Sequence, residues 1–255
     1  MTGSATPVYF LHDAEVIPGP VGALATLAER VDLSIPRHPG MGENDDLIEA
    51  WQSVGDVAQY HLEQIRRRPI SGKVHLMGAG FGGWVALDMA VRARELIESL
   101  TLIAPYGVKF AGYTEAEFAD ILLLDVDELL ELGWADPAKA TDIRLPGYPA
   151  DLTDAELERV FAGRAALSRY GWKPFLHDPH LRRWAHVIDV PALVVAGDQD
   201  GIVLPGHSRR LAEEIGAAFV NIAGAGHYPY IEAPGAFLDA VVPFLTSSSS
   251  TRSAQ

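Results

Sequence analysis

The chain has 255 residues, and 20 Lys and Arg against 34 Asp and Glu give a net charge of −14. Its length can bury a full core, and 48% apolar with 21% charged residues excludes a mostly disordered chain. The acidic balance argues against nucleic acid or anionic lipid as partners, since both need clustered basic charge. The absence of cysteine excludes disulfides, a thiol nucleophile and Cys-held zinc or iron–sulfur clusters.

The start, Met1 to Pro7, has no basic n-region, so no cleaved leader is expected. No apolar run reaches the roughly 20 residues of a membrane-spanning helix. A cytoplasmic location is the expectation, with a small molecule rather than nucleic acid or membrane as partner. The oligomeric state is left open.

Short apolar runs alternate with amphipathic stretches, the pattern of parallel strands joined by helices. The spacing predicts strands at Val8–Leu11, Val31–Ile35, Val74–Gly78, Leu100–Ala104, Ala192–Gly197 and Ala218–Ile222. It predicts helices at Gly22–Arg30, Leu47–Arg67, Gly82–Arg92, His207–Ile215 and Pro234–Leu245. The rhythm breaks between Tyr106 and Ile188, where Glu115–Leu132 and Asp151–Tyr170 are helical in pattern. This divides the chain into a core of residues 1–105 and 189–246, a helical cap inserted at 106–188, and a Ser-rich disordered tail at 247–255.

The segment Val74-His-Leu-Met-Gly78-Ala-Gly80-Phe-Gly82-Gly83 reads as strand, tight turn, helix. Gly78-x-Gly80-x-x-Gly83 has the spacing of a dinucleotide-binding turn, but that motif wants an acid near the end of the next strand. Here that strand ends Leu102-Ile-Ala-Pro105, so no nucleotide cofactor is expected. The competing geometry is the nucleophile elbow, G-x-S-x-G, with glycine at its central position, Gly80. An acid follows a later strand at Asp200, and a histidine lies on the glycine-rich loop Gly224-Ala-Gly226-His227. Loops at the carboxyl ends of parallel strands are where α/β proteins build sites.

In these segments, and in Leu11-His12 and His38-Pro-Gly-Met-Gly42, the sequence resembles the α/β-hydrolase family from Val8 nearly to Leu245. It is most similar to the capped esterase and carbon–carbon-bond hydrolase branch. The resemblance implies an α/β-hydrolase fold. Because the chain starts on what resembles the family's third strand, a smaller, mostly or wholly parallel sheet is expected. The resemblance also implies that Asp200 orients His227, that His227 is the general base, and that the backbone amides of Ala14 and Phe81 form an oxyanion hole. The cleft is expected to hold His12, Asp13, Tyr106 and Tyr228.

Two positions depart from the family pattern. Gly80 leaves the nucleophile position vacant, and His12-Asp13 stands where the family has His-Gly. On its own Asp13 reads as a solvated turn residue, since Asp after a strand is common in turns. If ionised near the hole, it would oppose an oxyanion. His12 reads as a structural member of the same turn. His177 and His180 lack further ligands, so no metal is expected.

The function expected is a cofactor-independent, hydrolase-like reaction on a small carbonyl or ester substrate, driven by an Asp200–His227 dyad without a serine. Ester hydrolysis, carbon–carbon cleavage and a proton-transfer lyase or isomerase step all fit. The alternatives are a pseudo-hydrolase that only binds, or a serine hydrolase inactivated by Ser-to-Gly replacement.

Overall fold

The computed structural model describes residues 7–16, 18–41, 51–68, 72–112, 115–143 and 152–250. In chain order its elements begin β1 (Val8–Leu11), α1 (Ala23–Ala28), β2 (Leu33–Ser34), α2 (Val54–Arg67), β3 (Val74–Ala79), α3 (Gly80–Arg92) and β4 (Ile97–Ile103). After a long excursion carrying α4 (Val126–Gly133), α5 (Asp154–Gly171) and α6 (Pro179–Trp184), the chain returns as β5 (Ala192–Gly197). It ends with α7 (Pro205–Glu214), β6 (Ala218–Ile222), α8 (Pro229–Glu232) and α9 (Pro234–Ser250).

The six strands form one sheet in the order β2-β1-β3-β4-β5-β6, and every pairing is parallel. This is an α/β-hydrolase fold with the parallel sheet its sequence predicts. Strands β1, β3, β4 and β5 are buried along their whole length, which explains their unbroken apolar runs. The edge strand β2 keeps only two paired residues of the five expected, Leu33 and Ser34, both half-buried and paired with β1.

The chain runs from β1 out to β2, then returns to place β3 on the other side of β1. The strand order therefore reverses between β1 and β3, and such a reversal opens a crevice at the strands' carboxyl ends. Leu11 pairs with Gly78 in that register. Two residues beyond each stand Asp13 and Gly80, at the same level of the crevice.

Two expectations are corrected. Glu115–Leu132 is helical only from Val126, where Asp125 and Glu128 form a reciprocal capping box. The preceding stretch spends its hydrogen bonds elsewhere: Ala119 N–H donates to the Ile202 carbonyl at 3.1 Å, and Phe118 bridges Val203. The Ser-rich segment from Ser247 is helical through Ser250, as the end of α9. Residues 251–255, and the part of the expected second helix at 47–50, lie outside the described residues. Among the described residues no helix is long and apolar enough to cross a membrane.

Candidate active site

At the end of β3 the chain turns sharply into α3 through Gly80, whose φ of +50° is the left-handed conformation that glycine adopts without strain. Gly82, two residues into the helix, has no room for a Cβ because the carbonyls of Leu11 and His12 press against it. The elbow is therefore built tightly against the turn that follows β1. The amide that follows Gly80, Phe81 N–H, points into the crevice.

Asp13 fills that crevice. Its Oδ1 accepts the amide protons of both Phe81 and Ala14, each at 2.8 Å. These are the two amides expected to form the oxyanion hole. They converge as expected, and a carboxylate of the same chain occupies the space between them. The reading of Asp13 as a solvated turn residue is overturned: it is 1% exposed. The physical reason is Gly80, since a Cβ built there would overlap the Asp13 carboxylate. With Asp13 so placed, a serine at position 80 has no room.

His227 faces the same carboxylate. Its Nδ1–H donates to Asp200 Oδ2 at 2.9 Å, and its Nε2 stands 3.4 Å from Asp13 Oδ2. Asp200 both orients the imidazole and holds its own turn, because its Oδ1 accepts the amides of Ile202 and Val203 at 2.9 Å each. Asp13 Oδ2 is buried and accepts no hydrogen bond from the described residues. Burial alone would lower the His227 pKa, but the Asp200 and Asp13 carboxylates outweigh it and raise it to about 10. Two carboxylates flanking one ring therefore favour its protonated form.

Tyr106 and Tyr228 flank the ring. Tyr106 stacks on it with centroids 5.7 Å apart and brings its hydroxyl to 3.5 Å from Nε2, while Tyr228 meets it edge-on at 4.9 Å. Both phenols are buried and held well above their usual pKa, primarily by desolvation. With Trp134, Ile202 and Glu15 they line an enclosed space of about 10 Å³, the size of one water. A larger cavity of about 210 Å³ opens between the core and α5, lined by His12, Ala14, Glu15, Arg37, Arg159 and Gly163 among others. Glu15 borders both spaces and is tied to the cap by Arg164, 2.9 Å away. Burial lifts the Glu15 pKa to about 7 against the pull of Arg164.

Sequence reasoning missed three groups of supporting residues. The buried Glu232 accepts Gly226 N–H on Oε2 at 2.6 Å and Asp136 N–H on Oε1 at 3.0 Å. His227 N–H donates to the Gly133 carbonyl at 2.7 Å, and Gly201 N–H to that of Leu132 at 2.8 Å. The end of α4 thus anchors the loops of both Asp200 and His227.

The second group is the pair Glu15 and Arg164. The third is a buried chain beneath Asp13. Its hydrogens are fixed by chemistry: the His12 carbonyl only accepts, so His38 Nε2–H donates to it at 2.9 Å. His38 Nδ1 then accepts from His61 Nε2–H at 2.9 Å, and His61 Nδ1 accepts from the Tyr9 hydroxyl at 3.0 Å. Burial holds both rings neutral, with the pKa of His61 lowered to about 3. His12 donates from Nδ1 to the Asp13 carbonyl at 2.7 Å, consistent with a structural place in the turn. Only the pairing of His38 with a glycine-rich loop hinted at this chain in the sequence. His177 donates to the Phe175 carbonyl and His180 lies beside Asp178. Among the described residues no group of three His, Asp or Glu could hold a metal ion.

Residues 8–240 match the alpha/beta hydrolase family. The chain belongs to that family. Over 185 residues it is 28% identical to epoxide hydrolase EphH of Mycobacterium tuberculosis, a match covering 67% of this chain and 85% of that one. Over 83 residues it is 38% identical to N-(5-amino-5-carboxypentanoyl)-L-cysteinyl-D-valine synthase of Amycolatopsis lactamdurans. That match covers 31% of this family member and spans only 2% of the synthase. A meta-cleavage product hydrolase from Pseudomonas fluorescens shares its fold, with a TM-score of 0.76 at 19% identity over 96% of this chain and 92% of that one.

Proposed function

We propose that this α/β-hydrolase family member hydrolyses a small molecule at the Asp200–His227 pair, without a serine nucleophile and without a cofactor. One observation carries the reading: the buried His227 ring is held on one side by Asp200 and faces a second carboxylate, Asp13, on the other. A fixed imidazole whose two flanking tyrosines line a water-sized space can store a proton, release it to a leaving group and take one from water. The substrate enters from the cavity bordered by Glu15 and the cap. The similarity to an epoxide hydrolase supports an electrophilic small molecule as substrate.

The test is turnover of p-nitrophenyl acetate, 1-phenyl-1,3-butanedione and styrene oxide by the native chain and by His227→Gln. Turnover that falls by about 10²–10⁴-fold in the variant is the expected result. Equal turnover by both proteins would overturn the assignment.

A second reading has its own observation. Because Asp13 fills both amides of the hole, the fold is also suited to binding without catalysis. That reading predicts a ligand-dependent rise in melting temperature without product, and no dependence on His227.

A further inference from the structure

The two amides at 2.8 Å from Asp13 Oδ1 are placed where a carbonyl substrate would need to put its developing charge. An ester or diketone can reach them only if Asp13 swings out and leaves its charge buried without partners, which is costly. The same arrangement suits a different chemistry. One carboxylate oxygen is fixed by two donors, and the other is buried, accepts no hydrogen bond from the described residues and lies beside His227. That is a carboxylate prepared to form a bond through Oδ2.

We propose that Asp13 is the covalent nucleophile of this site, and that its substrates carry an electrophilic sp3 carbon in a strained cyclic ether rather than a carbonyl. The proposal rests on the hydrolytic reading above and goes beyond it by naming the bond-forming atom. Gly80 contributes by being empty, because the nucleophile reaches the elbow from the turn after β1 instead of from the elbow itself.

The steps balance. Asp13 Oδ2 attacks a ring carbon; a carbon–oxygen ester bond forms and the ring carbon–oxygen bond breaks. The released oxygen takes the hydroxyl proton of Tyr106, which is replaced by the Nε2 proton of His227, 3.5 Å away. Esterification removes the Asp13 charge, so neutral His227 keeps only Asp200 beside it and is free to act as a base. Water then gives a proton to His227 and adds its oxygen to Asp13 Cγ. The negative charge develops on Oδ1, already seated between Ala14 N–H and Phe81 N–H. Collapse breaks the ester carbon–oxygen bond, and the new carboxyl's proton passes to the departing alkoxide. A diol leaves, and the two carboxylates and the imidazolium are restored.

The experiment is a single turnover of styrene oxide by excess native protein in heavy-oxygen water, with mass spectrometry of the diol and of the peptide holding Asp13. Solvent oxygen in Asp13 and none in the first-turnover diol is the expected result. The His227→Gln variant should accumulate the ester as a stoichiometric mass adduct, and Asp13→Asn should lose turnover by about 10⁴-fold or more. Asn keeps an oxygen for both amides, so this variant retains the turn. Solvent oxygen found only in the diol would overturn Asp13 as nucleophile and leave the hydrolytic reading standing. Turnover of the ester or the diketone with none of styrene oxide, and no adduct, would overturn nucleophile and substrate class alike. No turnover of any of the three would overturn the hydrolytic reading with them.

Discussion

The carboxylate of Asp13 and a side chain at Gly80 compete for one volume, so each residue is the condition for the other. The competition follows from strand order, which sets the ends of β1 and β3 side by side at the sheet's reversal point. Gly80→Ser alone should therefore destabilise the fold by roughly 2–4 kcal/mol, from overpacking and from a positive φ. Asp13→Gly added to it should recover the overpacking part, giving a coupling energy of roughly 1–3 kcal/mol by urea denaturation of all four members of the cycle. The double variant also frees the two amides and supplies a hydroxyl beside His227. It should gain p-nitrophenyl acetate hydrolysis that neither single variant shows.

The His227 imidazolium should be visible by NMR, with its ring nitrogens protonated through neutral pH and titrating near pH 10. Its folded pKa lies above the ordinary 6.5, so its stabilising contribution is complete below pH 6.5 and is lost as pH rises through about 10. Asp13→Asn removes one of the two raising charges and should lower that titration. Melting temperatures at pH 7 and pH 10 check this: the native chain should fall further than the variant.

Glu15 moves stability in the same direction at lower pH. Its carboxyl is raised from 4.5 to about 7, so the folded chain holds a proton that the unfolded chain has lost across that interval. Stability from this group is complete below pH 4.5 and declines as pH rises through 7, by up to about 3 kcal/mol. Urea midpoints at pH 5 and pH 7.5 should show this loss reduced in Glu15→Gln relative to the native chain.

The buried chain of Tyr9, His61 and His38 should be costly to interrupt. His61→Phe leaves the Tyr9 hydroxyl and His38 Nδ1 without their partners, at about 1–3 kcal/mol each. The native rings stay neutral where unfolded histidines charge, so they withdraw stability as pH falls from 6.5 towards 4. His61→Phe should therefore be less stable at pH 7, yet lose less on going to pH 5, as read by urea midpoints.

Most of the sheet was legible because its strands are buried on both faces, and runs such as Val8–Leu11 and Ala192–Gly197 carry that burial in their composition. The pairing of Asp200 with His227 was legible from the order of motifs and their positions after strands. Asp13 was misread because exposure is not local: a turn aspartate is solvated unless something distant leaves it a hole, and here the hole is Gly80, 67 residues further on. The glycine and the acid were each noticed, but their shared volume exists only once β1 and β3 pair. Glu232, Glu15 and the histidine chain act through contacts of this long-range kind, and no spacing announces them.

The bonds from Leu132, Gly133 and Asp136 to the loops of Asp200 and His227 bear on how specificity can be altered in this protein. A cap that only shaded the cleft could be exchanged for a relative's like an interchangeable part. Here the end of α4 is joined to the backbone that aims the imidazole, so a graft replacing it would disturb the ring along with the roof. Recombination breakpoints chosen to broaden substrate range belong after Asp136, leaving the whole α4 corner with the sheet.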